Sequence, residues 1–444
     1  MKSTTVVLAT ARTPFGRLGG ALAPLHPTTL GGEAIRAAVE RAQIDPADVD
    51  HVVMGEVLQG GVGQAPARQA LYKAGLAKTT TFETVNKVCA SGMSAIVHGA
   101  RLIDDGDASV VVGGGMESMS NAPYALPNAR FGYRFGDGAL VDLMGHDGLL
   151  DPYSGLTMAS AQSRVNADLN ITRAMQDEFA LRSQQRAAAA TAQGLLAGEI
   201  VPLRVATKAK GKLVVGELPK RARARVPAGV GANGSAGIWH EPPAELAPDL
   251  EAYSPYVTGD VPATLVDKDE AIRGDASLEA MAKLPPLDRG GSVTAGNAPG
   301  VNDGAAALVL ASDAYAREHG REALATIVDH AAAAWDPAYL ALVPAMAAHN
   351  LLEKNGLRAA QIDVWEVNEA FAAVAWSTAH LLGIDPEKIN ALGGAVAFGH
   401  PIGASGARIV ASVVHQLRRR GGGLGIAAIC SGGGQGDAVL IRVG

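Results

Sequence analysis

The sequence predicts an α/β protein made of two related halves, each a largely parallel sheet covered on both faces by helices. Three observations carry this. Short apolar runs alternate with amphipathic helical segments, the pattern of strands buried on both faces. The alternation stops near residue 120 and resumes near residue 320 with the same grammar. Two similar runs, Asn302–Ser312 (NDGAAALVLAS) and Gln435–Val443 (QGDAVLIRV), close the two stretches.

In the first half, Thr4–Ala9 reads as a strand, Leu30–Ala42 as a helix and His51–Gly55 as a second strand. Ala65–Ala74 follows as a helix, then Ser109–Val112 as a strand followed by Gly113-Gly114-Gly115. In the second half the strands are Ala325–Val328, Val364–Val367 and Gly425–Ile429. The helices are Pro344–Asn355, Ala370–Leu382 and Ser405–Arg420. Between the halves, residues 120–295 hold many Gly, Pro and Asp and one clear helix, Thr172–Ala197, with Thr172 as its N-cap and Gly198 past its end. Gly216–Pro262 has no sustained period and reads as an insertion, since so long a structureless loop is unusual in a compact domain. The expected division is a half over 1–119 completed by 296–320, a loop domain over 120–295, and a second half over 321–444.

Composition narrows the function. The chain has 444 residues, too many for one ordinary core, and 54 of them are glycine. Lys and Arg number 38 against 44 Asp and Glu, a net charge of −6 that argues against a nucleic-acid binder. Residues 1–16 lack the apolar core of a signal peptide, and no run is long enough to span a membrane. The expected compartment is the cytoplasm. Two cysteines cannot make a disulfide framework, so both are expected as thiols.

Three glycine-rich turns carry chemistry. In Asn86–Ile96 (NKVCASGMSAI), Cys89 sits where a helix begins, and a helix N-terminus stabilises thiolate. A buried structural cysteine is the alternative. In Gly393–Arg408 (GGAVAFGHPIGASGAR), His400 between Gly399 and Pro401 is a candidate general base. In Ile429–Asp437 (ICSGGGQGD), Cys430 precedes Gly432, Gly433 and Gly434, whose small size lets a substrate approach backbone N–H groups. Those glycines lead into a strand rather than a helix, which excludes a dinucleotide fingerprint.

With Asn368-Glu369-Ala370-Phe371-Ala372, these motifs resemble those of the thiolases, acetyl-CoA C-acyltransferases, over nearly the whole chain except Gly216–Pro262. The resemblance implies two α/β halves with mixed five-stranded sheets covered by helices, plus a loop domain. It implies Cys89 as the acyl-carrying nucleophile, His400 as its base and Cys430 as the acid/base at the acetyl methyl. Backbone N–H groups at Cys89 and Gly432 would form one oxyanion hole, and His400 with a water held by Asn368 the other. Without the resemblance, Asn368 reads first as a helix N-cap. Arg273 matches an arginine beside the adenine end of coenzyme A, and Met158, Leu287 and Leu340 fall at positions lining its tunnel. Thr157 and Pro299 depart from the common histidine and serine there. Lys220–Arg225 and Arg418-Arg419-Arg420 are candidate phosphate contacts, the latter also suited to closing a helix end.

The resemblance implies no cofactor and no metal, coenzyme A being a substrate, and a homodimer or homotetramer. The expected reaction is reversible condensation of two acetyl-CoA, or thiolytic cleavage of a 3-ketoacyl-CoA. The alternatives are a degradative thiolase preferring longer chains and a non-catalytic thiolase-like lipid-binding protein.

Overall fold

The computed structural model describes residues 4–206 and 263–444. Among the described residues, nine strands of four residues or more build the central sheet: β1 (Thr5–Arg12), β2 (His51–Gly55), β3 (Thr81–Val85), β4 (Val110–Ser118), β5 (Asn302–Ser312), β6 (Ala325–Ala334), β7 (Val364–Val367), β8 (Gly423–Ser431) and β9 (Gln435–Val443). The helices that position the site are α1 (Pro27–Ala42), α2 (Pro66–Lys73), α3 (Ser91–Asp105), α4 (Met158–Asp168), α5 (Arg173–Ala192), α6 (Val343–Lys354), α7 (Ala372–Leu382) and α8 (Ser405–Arg420).

The two halves share one pairing scheme. In the first, β1 pairs antiparallel with β5 and β5 with β4, while β4–β2 and β2–β3 are parallel. In the second, β6–β9 and β9–β8 are antiparallel and β8–β7 is parallel. The place of a fifth strand there is taken by a single parallel bridge, Trp365 to Ile389. The expectation of largely parallel sheets is therefore corrected. Each half returns a late strand antiparallel through its middle, a long-range pairing that no local apolar run encodes. The halves meet edge to edge where Val6 and Val7 of β1 pair with Thr326 and Ala325 of β6.

Three apolar layers follow. One packs α1 and α2 on the first sheet, and another packs α6 and α7 on the second. Between the sheets, α3 contributes Met93 and Ile96 and α8 contributes Val410 and Val413 to a core shared by strands of both halves. This central helix pair is what brings residues of the two halves together.

Several strands run longer than expected, β6 by six residues to Ala334, and two further boundaries have clear physical reasons. The strand begun at Val110 runs through Gly113–Gly115 to Ser118, because the glycines answer to space rather than to a turn. A Cβ at Gly113 would lie 3.0 Å from the Ile96 Cα, and one at Gly115 would strike the Gly403 carbonyl. Helix α5 ends at Ala192, ahead of Gly194 in the left-handed region at φ +69. Its Thr172 N-cap is as expected, accepting from Met175 N at 3.3 Å. The segment 216–262 lies outside the described residues.

Candidate active site

The Cys89 bend is tightly held. Ala90 is the N-cap of α3, so Cys89 stands just beyond the helix's positive end. Val88 before it has φ +46, a conformation β-branched residues rarely adopt and one that costs on the order of 1–3 kcal/mol. Ser91 clamps the bend: its hydroxyl accepts from Lys87 N at 2.8 Å and donates to the Val88 carbonyl at 2.6 Å.

His400 follows Gly399, whose φ of +106 only glycine takes readily. Asn302 fixes the turn by accepting from His400 N at 2.9 Å. The Ser405 hydroxyl donates to the Pro401 carbonyl at 2.9 Å and lies 2.6 Å from His400 Nδ1. With its proton committed to Pro401, that hydroxyl accepts from Nδ1–H. The neutral ring then presents an unprotonated Nε2, which has no partner among the described residues.

The glycines of the two motifs interlock. A Cβ at Gly92 would lie 2.8 Å from the Gly403 carbonyl, and one at Gly406 2.5 Å from Met93 N. Only main chain fits where the N-termini of α3 and α8 meet. Cys430, near the end of β8, pairs with Gly436 across a hairpin that turns through Gly432–Gly434.

Cys89, His400, Cys430 and Gly432 converge on one cavity of about 580 Å³. Its walls are mainly apolar, and this sets the charge states. Burial pushes the Cys89 thiol up to about 12, against N–H donation from the Cys89 and Gly432 amides, which lowers it. Burial drives His400 down to about 3, with Arg408 acting in the same direction. Burial, and then the neighbouring Cys89, raises the Cys430 thiol well above its ordinary value. The thiolate stabilisation expected from the helix terminus is thus outweighed by desolvation, and both thiols and the imidazole rest uncharged.

Asn368 lies just past β7, its N–H bonded to the Ala428 carbonyl at 2.9 Å. It is not the helix N-cap, a place Phe371 takes. Its buried amide has no partner among the described residues, and it does not line the cavity. Neighbouring Glu369 is fully bonded, accepting from Ser183 Oγ, Asn390 Nδ2 and Val396 N.

Met158, Leu340 and Leu287 line the cavity, as do Thr157 and Pro299. Leu340 is buried, while Leu287 is exposed at the rim. Thr157 serves as the N-cap of α4, accepting from Ser160 N at 3.2 Å. Arg273 is exposed and does not line the cavity. The Arg418–Arg420 triplet is engaged at the end of α8, by Glu322, the Leu195 carbonyl and Asp363. Lys220–Arg225 lies outside the described residues. Sequence reasoning missed Met119, His146, Phe371 and Ile402 in the walls. Of these, Phe371 and Ile402 stood inside quoted motifs, a signal that could have found them.

Comparison with known proteins matches residues 5–226 and 256–314 to the thiolase N-terminal domain and residues 321–443 to the thiolase C-terminal domain. The chain belongs to the thiolase family. The part of this thiolase between 226 and 256 that the family model passes over lies within 216–262, the segment read as an insertion. Similar relatives include the acetyl-CoA acetyltransferase of Escherichia coli (strain K12), 41% identical over 439 residues and 98% of each chain. That of Cupriavidus necator is 40% identical over 98% of each chain, and that of Schizosaccharomyces pombe 40% identical over the full length of both. No helix of the thiolase is long and apolar enough to cross a membrane among the described residues.

Proposed function

We propose that this thiolase is an acetyl-CoA C-acetyltransferase, condensing two acetyl-CoA reversibly to acetoacetyl-CoA and free coenzyme A through an acyl-Cys89 intermediate. The convergence of two free thiols and the unprotonated His400 Nε2 on one apolar cavity carries the reading. Full-length similarity to proteins named acetyl-CoA acetyltransferase supports it.

The charge states suggest the order of events. His400 Nε2 takes the Cys89 proton as the thiolate attacks the acetyl carbonyl carbon, and the new oxyanion receives the Cys89 and Gly432 N–H groups. The C–S bond to coenzyme A breaks, its thiolate takes the proton from Cys430 and leaves as the free thiol, and the acetyl group stays on Cys89 while His400 keeps its proton at Nε2. Cys430, as thiolate, then removes a methyl proton from a second acetyl-CoA. Burial that raises its pKa makes that thiolate a stronger base, suited to a weakly acidic C–H bond. The enolate oxygen accepts from the protonated His400 Nε2 and from a water at Asn368; its carbon attacks the acetyl carbon, the C–S bond to Cys89 breaks, and the Cys89 thiolate takes back the His400 proton as acetoacetyl-CoA is released.

Met158, Leu287 and Leu340 would flank the pantetheine arm, whereas Arg273 would meet coenzyme A only outside the cavity. The reading keeps the division at 1–119 with 296–320, 120–295 and 321–444. It also expects a cytoplasmic homodimer or homotetramer, a reducing compartment preserving both thiols. Brief exposure to acetyl-CoA followed by peptide mass analysis tests the chemistry. An acetyl group on the Cys89 peptide, absent in Cys89→Ser, is expected; persistent acetylation of Cys430 instead would reverse the two roles.

A further inference from the structure

Glu117, near the end of β4, has no part in the steps above, yet it touches both sides of the site. Its side chain is fully buried and accepts three main-chain hydrogen bonds. Oε2 accepts from Val57 N at 3.1 Å and Gly403 N at 2.9 Å, and Oε1 from Leu58 N at 3.1 Å. Val57 and Leu58 follow β2 and pack with Met119 and Ile402 in a cluster that Cys89 joins. Gly403 belongs to the other half, three positions beyond His400 in the same turn. The approach admits no side chain, because a Cβ at Gly403 would lie 2.7 Å from Glu117 Oε2 and 2.8 Å from the Met116 carbonyl.

We propose that Glu117 is a positioning residue for His400: its carboxylate ties the turn carrying the imidazole to the wall beside Cys89 and so sets the approach of Nε2 to Sγ. This rests on the reading of His400 as the base of Cys89. A carboxylate suits the task because it is acceptor-only, with lone pairs for donors from several directions. An amide in its place must turn its NH₂ toward at least one main-chain N–H, leaving two donors opposed. The resulting displacement of the turn is the kind of shift, about 1 Å, that costs on the order of 100-fold in rate.

The test is single-turnover acetylation of Cys89 by acetyl-CoA in the full chain carrying Glu117→Gln, His400→Ala, or both. Glu117→Gln is expected to slow acetylation on the order of 100-fold with the KM for acetyl-CoA nearly unchanged. In the His400→Ala background it should add almost nothing, because two residues acting through one step are not additive. Acetylation by Glu117→Gln close to the unsubstituted rate, or a full further loss in the double variant, overturns the proposal. Unimpaired acetylation by His400→Ala instead defeats the base reading itself. Should Glu117→Gln not fold, Glu117→Asp keeps the charge but shortens the reach, and a folded Asp variant with unimpaired acetylation equally overturns the proposal.

Discussion

Lys87 and Asp437 form an ion pair at 2.8 Å that joins the bend before Cys89 to the strand after the Cys430 hairpin. Both side chains are largely buried, so the pair should behave asymmetrically: removing one partner strands a charge, while removing both does not. Lys87→Met is expected to lower Tm more than Lys87→Met combined with Asp437→Asn. Thermal unfolding of the three proteins checks this, and equal or larger loss in the double variant refutes it.

Asn368 offers a separation of activity from stability. Its amide bonds to nothing among the described residues, so truncation sacrifices little folding free energy. Loss of an oxyanion donor costs about 3 kcal/mol of transition-state stabilisation. Asn368→Ala should retain its Tm while condensation falls by two orders of magnitude or more. Turnover near that of the unsubstituted enzyme would remove Asn368 from the reaction.

The Cys89 thiol, pushed up to about 12, is protonated throughout the neutral range. Its thiolate fraction must therefore climb as pH rises toward that value. Alkylation of Cys89 by iodoacetamide should accelerate about tenfold per unit between pH 7 and 9. A plateau in that interval would mean that the thiol ionises at rest.

Glu56 supplies a stability prediction. Its buried carboxyl oxygens have no partner among the described residues, and burial, then Glu117, pushes the group up to about 9. The folded state thus holds a proton that the unfolded chain releases above about 4.5. Stability from this group is full below that pH and declines as pH rises toward 9. Glu56→Gln does not titrate, so its Tm advantage should widen from pH 5.5 to pH 8. A constant difference would contradict the raised carboxyl.

Much of the fold was legible where local signals agree with packing. β5, β7, β9 and α8 have the bounds expected from their apolar runs, and α8 stops at Gly421, left-handed at φ +87. Cys89, His400, Cys430 and Gly432 were legible because glycine-rich turns around reactive residues are uncommon. Sheet direction was not, because it depends on strands such as β4 and β5 that meet from far apart in the chain. Glu117 stayed hidden for a related reason: its partners are main-chain amides, which leave no trace in residue type. The Cys89 thiol misled because a helix terminus can be read locally, whereas the enclosing cavity cannot.

The interlocking of Gly92, Gly403 and Gly406 bears on how the protein is made. The first sheet lacks β5 until residue 312 has been synthesised, and Cys89 meets His400 only when α8 docks on α3. A nascent chain that has emerged as far as α5 therefore displays Cys89 with neither His400 nor the Cys430 hairpin beside it. The site is thus assembled last, with the C-terminal hairpin, and no truncated chain ending before β9 can bring Cys89, His400 and Cys430 into one cavity.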